Sequence, residues 1–108
     1  MQVNEALWIV LQRALGIGGT LMTAGVAATA PVVTKGCLHH TVIVSNRDGS
    51  DVLKVEGQIQ ETVASWIQIG SNISADGPVS FDGLYDNIRV SKVSGTGTAT
   101  NAVIRSRY

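Results

Sequence analysis

Cysteine, aromatic rings and charge are all scarce in this 108-residue chain: one Cys, two Trp, two Tyr, one Phe, and Asp, Glu, Lys or Arg at only 15% of positions. A lone Cys37 excludes an internal disulfide framework and any cysteine-rich zinc site. The charged fraction lies well below the roughly 25% usual for globular domains. Eight Lys and Arg balance eight Asp and Glu, leaving a net charge of zero. Too few basic residues remain for a nucleic-acid partner held through its phosphates. A low, balanced charge also serves a lone soluble monomer poorly and points to life in an assembly, with a homo-oligomer expected.

A membrane-spanning run is missing as well. Residues 14–34 carry no charge and match the roughly 20 residues needed to cross a bilayer. They contain Gly16, Gly18, Gly19, Gly25, four threonines and Pro31, however, so Leu, Ile and Phe are too few. No membrane partner is expected. Ala28-Thr29-Ala30 imitates a signal-peptide cleavage site, but Glu5 in the leading segment and Pro31 after the cut stand against it.

What is present is patterned apolar sequence. At 44% hydrophobic content the chain is no disordered tail, and its length suits one domain. Val3, Ala6, Leu7, Val10, Leu11, Ala14 and Leu15 follow the spacing of one helical face, with Asn4 to cap and Gly16 to stop. Trp8 and Ile9 fall off this stripe, so the helix needs cover on more than one side. A strand over residues 7–11 is the competing reading. From Thr20 the period becomes strand-like. Residues 26–33 read as an edge strand or extended arm ended by Pro31. Residues 38–44 and 52–58 are β-branched or alternating and flank a turn cluster containing Asp48-Gly49. Residues 63–69, 79–81, 88–93 and 98–105 complete the set, separated by Asp76-Gly77-Pro78, Asp82-Gly83 and Gly95-Thr96-Gly97. Seven to eight short strands at such spacing predict a mainly β protein, an antiparallel, jelly-roll-like β-sandwich. The expected division is an attachment helix or arm over residues 1–19 and a sandwich over residues 20–108.

Catalytic chemistry finds little to work with. His39 and His40 are neighbours on a strand and point to opposite faces, so they cannot converge on a metal; Cys37 with His39 supplies two ligands at most. A nucleophile–base arrangement would depend on this pair alone. Asp76, Asp82 and Asp86 could serve as paired carboxylates or calcium ligands, yet each sits at a turn or strand start where Asp closes the chain locally. The glycines of Gly16-Ile17-Gly18-Gly19 lack the following Lys-Ser/Thr of a phosphate loop. No metal, cofactor or enzymatic activity is expected. Trp66 and Tyr85 could stack on sugar rings, but aromatic residues on strands usually fill the core, and Trp66, Phe81, Tyr85 and Ile88 are expected to anchor it.

In order along residues 55–105 stand Val55-Glu56-Gly57, Ser65-Trp66-Ile67-Gln68-Ile69-Gly70, Ile73-Ser74-Ala75-Asp76-Gly77, Phe81-Asp82-Gly83-Leu84-Tyr85-Asp86-Asn87-Ile88-Arg89-Val90 and Gly95-Thr96-Gly97-Thr98. This succession of strands and turns resembles small β-sandwich structural proteins of tailed bacteriophage virions. The resemblance implies a non-enzymatic capsid cement, decoration or head–tail component located in the virion. Its partners would be other virion proteins, the major capsid protein or tail and neck proteins. Sheet edges and the apolar residues Val3, Leu7, Trp8, Val10, Leu11 and Leu15 would then be the contact surfaces. The alternative is a carbohydrate-binding sandwich that recognises a cell surface.

Overall fold

The computed structural model describes residues 16–59 and 65–108. The expected N-terminal helix and all six interface candidates within it (Val3, Leu7, Trp8, Val10, Leu11, Leu15) lie outside the described residues.

Nine strands are present among the described residues: β1 (Ile17–Thr23), β2 (Val26–Ala27), β3 (Val32–Val33), β4 (His39–Ser45), β5 (Val52–Gln58), β6 (Ile67–Ile73), β7 (Gly77–Asp82), β8 (Asn87–Ser94) and β9 (Asn101–Arg107). They form two antiparallel sheets in the orders β2-β1-β9-β4-β7 (sheet A) and β3-β8-β5-β6 (sheet B). The pairs β1/β9, β3/β8, β4/β7 and β5/β6 are nested, as in one long hairpin folded double. Two further pairings, β4 with β9 and β5 with β8, close each sheet. This is the jelly-roll arrangement of a sandwich, and the fold expected from the strand pattern is the one observed.

Alternation along the strands builds the core. In β4, His40, Val42 and Val44 point inward and are buried; in β9, Ala102, Ile104 and Ser106 do the same. Across from them, Leu53 and Val55 of β5 and Ile88 and Val90 of β8 supply the sheet B side of one apolar cluster. A bulge in β1 between Thr20 and Met22 places the consecutive residues Leu21 and Met22 both in that cluster.

Several boundaries differ from the sequence expectation. Strand β1 begins at Ile17, which pairs with Ser106, so the sandwich starts inside the segment assigned to the attachment arm. Pairing, which is non-local, overrides the Gly-rich composition of Gly16–Gly19 there. Residues 26–33 do not form one strand. After the β1–β2 turn, in which Ala24 and Gly25 take φ of 49° and 79°, the chain gives two residues to each sheet. That turn is a two-residue hairpin of the type that requires positive φ at both central positions, which glycine adopts without strain. Strand β6 runs later than residues 63–69, of which 63 and 64 lie outside the described residues.

Trp66 corrects a second expectation. Ile88 is fully buried, and Phe81 and Tyr85 are half-buried against the core cluster, but Trp66 is not part of it. It stands just before β6, where its ring lies 4.0 Å from the Arg89 guanidinium carbon. Arg89 is on the outward face of β8, so the indole covers a charged side chain there.

Candidate functional site

Four polar constellations merit a functional reading, and the first two serve the fold. The first is Asp51, fully buried at the start of β5. Its carboxylate accepts hydrogen bonds from the Gly97 amide (2.8 Å) and the Thr100 hydroxyl (2.6 Å), and Lys92 Nζ lies 3.3 Å away. The Thr100 hydroxyl, followed by the Gly97 amide and Lys92, outweighs burial and holds Asp51 below the ordinary carboxylate range. Arg47 turns its guanidinium inward onto the carbonyl oxygens of Asp48, Gly49 and Asp51. Together these bonds tie the β4–β5 loop to the β8–β9 loop.

The second lies on the outer face of sheet B. Burial works against the Glu56 carboxylate, but hydrogen bonds from Ser91 and Arg89 and the charges of Arg89 and Lys54 overcome it, leaving Glu56 below its ordinary range. Beside it the Asn87 side-chain amide donates to Gln58 Oε1 at 3.0 Å. Among the described residues, no buried side-chain nitrogen or oxygen lacks a hydrogen-bond partner.

His40 and Ser106 form a third, buried pair. The His40 Nε2–H donates to the Gly83 carbonyl at 2.7 Å, which leaves Nδ1 to accept from the Ser106 hydroxyl at 2.7 Å. The imidazole stacks on Phe81 with centroids 5.1 Å apart. A hydroxyl bonded to a histidine resembles a nucleophile and its base. Here both side chains are buried, at 2% and 3% exposure, and both contribute to the lining of a depression on sheet A.

The outer face of sheet A is different. His39, on the opposite side of β4 from His40 as the alternation requires, holds Asp82 with an Nδ1–Oδ1 distance of 2.9 Å. Thr41 and Ser80 share a hydroxyl–hydroxyl bond of 3.0 Å. Arg105 and Arg107 of β9 stand opposite Thr41 and His39. Together with His40 and Ser106, these six residues line a shallow depression of about 230 Å³. Next to it Ile43 and Val103 are cross-strand neighbours, each 39% exposed, and Pro78 of β7 continues the row.

The residues singled out in the sequence are thus scattered. Asp76 accepts the Arg47 backbone amide, Asp82 binds His39 at the far end of β7, and Asp86 lies in the loop before β8, where its backbone carbonyl accepts from Thr34. Each serves a turn or a neighbour, and the three do not meet. Cys37 is fully buried, and burial pushes its thiol up. Among the described residues no three His, Cys, Asp or Glu side chains group as metal ligands, and no helix is long and apolar enough to cross a membrane. The sequence reading missed Asp51, Glu56 and the Arg105–Arg107 face. The alternation of β9 did place Val103 and Arg105 on one side, which is the signal that could have found the last. No family model matches the chain, and no curated protein or solved structure matches it.

Proposed function

We propose that the chain is a non-enzymatic structural subunit of a tailed-phage virion, a capsid cement, decoration or head–tail component that acts through contacts with neighbouring subunits. The observation that supports this reading best is the apolar row Val103–Ile43–Pro78 on the outer face of sheet A. In a sandwich that works alone, outward positions of antiparallel strands alternate toward polar residues. Here apolar side chains run across three adjacent strands, beside exposed arginines, the composition of a contact surface rather than of a solvated one. Leu84 and Val33, 64% and 57% exposed, add apolar area elsewhere. The jelly-roll architecture is used by capsid domains and by lectins alike and does not decide between them.

The carbohydrate-binding alternative draws less support from the aromatic side chains. The Trp66 ring is engaged by Arg89, and Tyr85 packs among Phe81, His40 and the backbone of Gly57 and Gly83. Among the described residues no Trp, Tyr or Phe lines the sheet A depression.

The mass in solution tests the reading. Light scattering at several concentrations should find a trimer or larger species, or association on addition of a phage head or tail protein. A monomer of 11.3 kDa that ignores such proteins and binds glycans would overturn it. In the same system, removal of residues 1–15 should abolish incorporation into particles while circular dichroism still reports the folded sandwich; undiminished incorporation refutes attachment through that segment.

A further inference from the structure

Four of the seven positive charges of the described residues are spoken for, and Lys35 in the β3–β4 loop lies outside the strands of sheet A. Lys54 and Arg89 face Glu56, Lys92 faces Asp51, and Arg47 is spent on loop carbonyls. Arg105 and Arg107 are the exception on sheet A. Neither has a carboxylate within ion-pair distance among the described residues, and both are exposed. They occupy alternate positions on one strand, so their backbones stand about 7 Å apart on the same face. The Arg105 side chain lies along the sheet over Gly18, where a β-carbon would come within 3.3 Å of its Cδ. A β-carbon there would require the Arg105 side chain to give by a few tenths of an ångström. The hydroxyl pair of Thr41 and Ser80 uses one of its two hydrogens internally and has the other to donate outward. The one acid on this face among the described residues, Asp82, is held by His39 at its margin.

The face is therefore graded along β9 and β4. Val103 with Ile43 comes first, then Arg105 with Thr41, then Arg107 with His39. We infer that this face docks an acidic polypeptide segment of a partner protein, one that presents an apolar side chain followed by two carboxylates at alternate positions. The inference rests on the assembly reading above and names the contact chemistry for it. Residues two apart on an extended segment have the same spacing as the arginines, so two carboxylates can meet two guanidinium groups, with an apolar side chain falling on Val103 and Ile43. An anionic polysaccharide would satisfy the arginines but has nothing to cover the apolar row. The depression is also smaller than the roughly 300–1,000 Å³ of a small-molecule pocket.

The test uses the full chain and a fluorescent hexapeptide with Val, Glu and Glu at positions one, three and five and Thr between them. A Gln-for-Glu version serves as control and a heparin hexasaccharide as the competing anion. Anisotropy should report binding of the acidic peptide, weakened several-fold by raising salt from 20 to 300 mM and weakened roughly ten-fold in the Arg105→Gln/Arg107→Gln double variant. Ile43→Ser should weaken the peptide but leave any binding of heparin unchanged. Both variants alter exposed side chains, and circular dichroism checks that they fold. Absence of binding, equal binding of the Gln control, or an unchanged affinity in the double variant overturns the inference. Heparin binding tighter than the peptide through the same arginines also overturns it, in favour of an anionic glycan. Light scattering keeps the two readings apart. A wild-type oligomer that does not bind the peptide refutes this face alone, whereas a wild-type monomer that still binds the peptide refutes the assembly reading alone.

Discussion

Gly57→Ala probes how closely sheet B is fitted to the aromatic group beneath it. A β-carbon at position 57 would lie 2.5 and 3.0 Å from Tyr85 Cδ1 and Cε1 and 2.8 Å from Ile69 Cδ1. Carbon atoms pack best at about 3.5–4.0 Å, so the Tyr85 ring must move by up to an ångström. That ring is held in turn by Phe81 at 6.2 Å and His40 at 6.1 Å, centroid to centroid, and by Gly83 on its other edge. Overpacking of this kind costs about 1–3 kcal/mol. The lower backbone entropy of the unfolded alanine chain returns about 0.4–1 kcal/mol. The net loss should be about 1–2 kcal/mol, equivalent to a fall in Tm of roughly 4–16 °C for a domain of this size. Urea unfolding followed by circular dichroism measures it. The informative comparison is the same substitution in a Tyr85→Leu background. With the two ring carbons gone, only the flexible end of Ile69 remains in the way, and Gly57→Ala should become nearly neutral. A double-mutant cycle should therefore return a coupling of about 1 kcal/mol or more. An equal cost in both backgrounds would refute the argument that Tyr85 sets the need for glycine.

Other perturbations reach separate parts of the fold. Ile88→Ala, at a fully buried position between the sheets, should cost about 2–5 kcal/mol in urea unfolding. Trp66→Ala should cost only about 1–2 kcal/mol, because the indole is half-buried and its distinctive contact is with Arg89; a loss of about 3–5 kcal/mol would put the ring in the core after all. Asp51 and Glu56 both have folded pKa values below their unfolded ones, so each contributes stability above the ordinary carboxylate range. That contribution is lost as pH falls below about 4 and through their depressed folded values. The urea midpoint should thus drop steeply in acid, and Asp51→Asn should flatten the drop while lowering the midpoint at neutral pH. Cys37 should react with a thiol reagent only at the rate of unfolding, since it is fully buried and its thiol is pushed up; rapid labelling of the native protein would contradict its placement.

The sandwich was legible because its signals are local. β-Branched alternation in residues 38–44 and 52–58 and the Asp-Gly turns between strands each report their own neighbourhood. The opposite orientation of His39 and His40 follows from the two-residue period alone. What escaped depends on pairing between distant parts of the chain. Gly18 and Gly19 look like a loop until β9 is laid beside them. Trp66 looks like a core residue until Arg89, 23 positions later, arrives under its ring from β8. Asp51 reads as one more turn-forming acid, and only the meeting of two loops reveals that it is buried. The alternation of β9 gives half of the Arg105–Arg107 face, and the other half, Thr41, His39 and Ile43, arrives only with β4.

The borders of the two sheets limit how copies or partners can join this molecule. Sheet A ends on one side in the two-residue β2 and on the other in β7, where Pro78 has no amide hydrogen to offer. Sheet B ends in the two-residue β3 and in β6, whose run is broken by a bulge at Gly70 and bridged by Gln68 donating to Asn72 at 2.8 Å. β7 thus lacks a donor and β6 is bent, and each resists another chain continuing the ladder. Growth by strand addition, the route to fibres, is thereby discouraged at β6 and β7, whereas β2 and β3 cover only two residues each of β1 and β8. At the β6 and β7 borders a neighbour would have to join through side chains on the broad surfaces rather than through the backbone ladder.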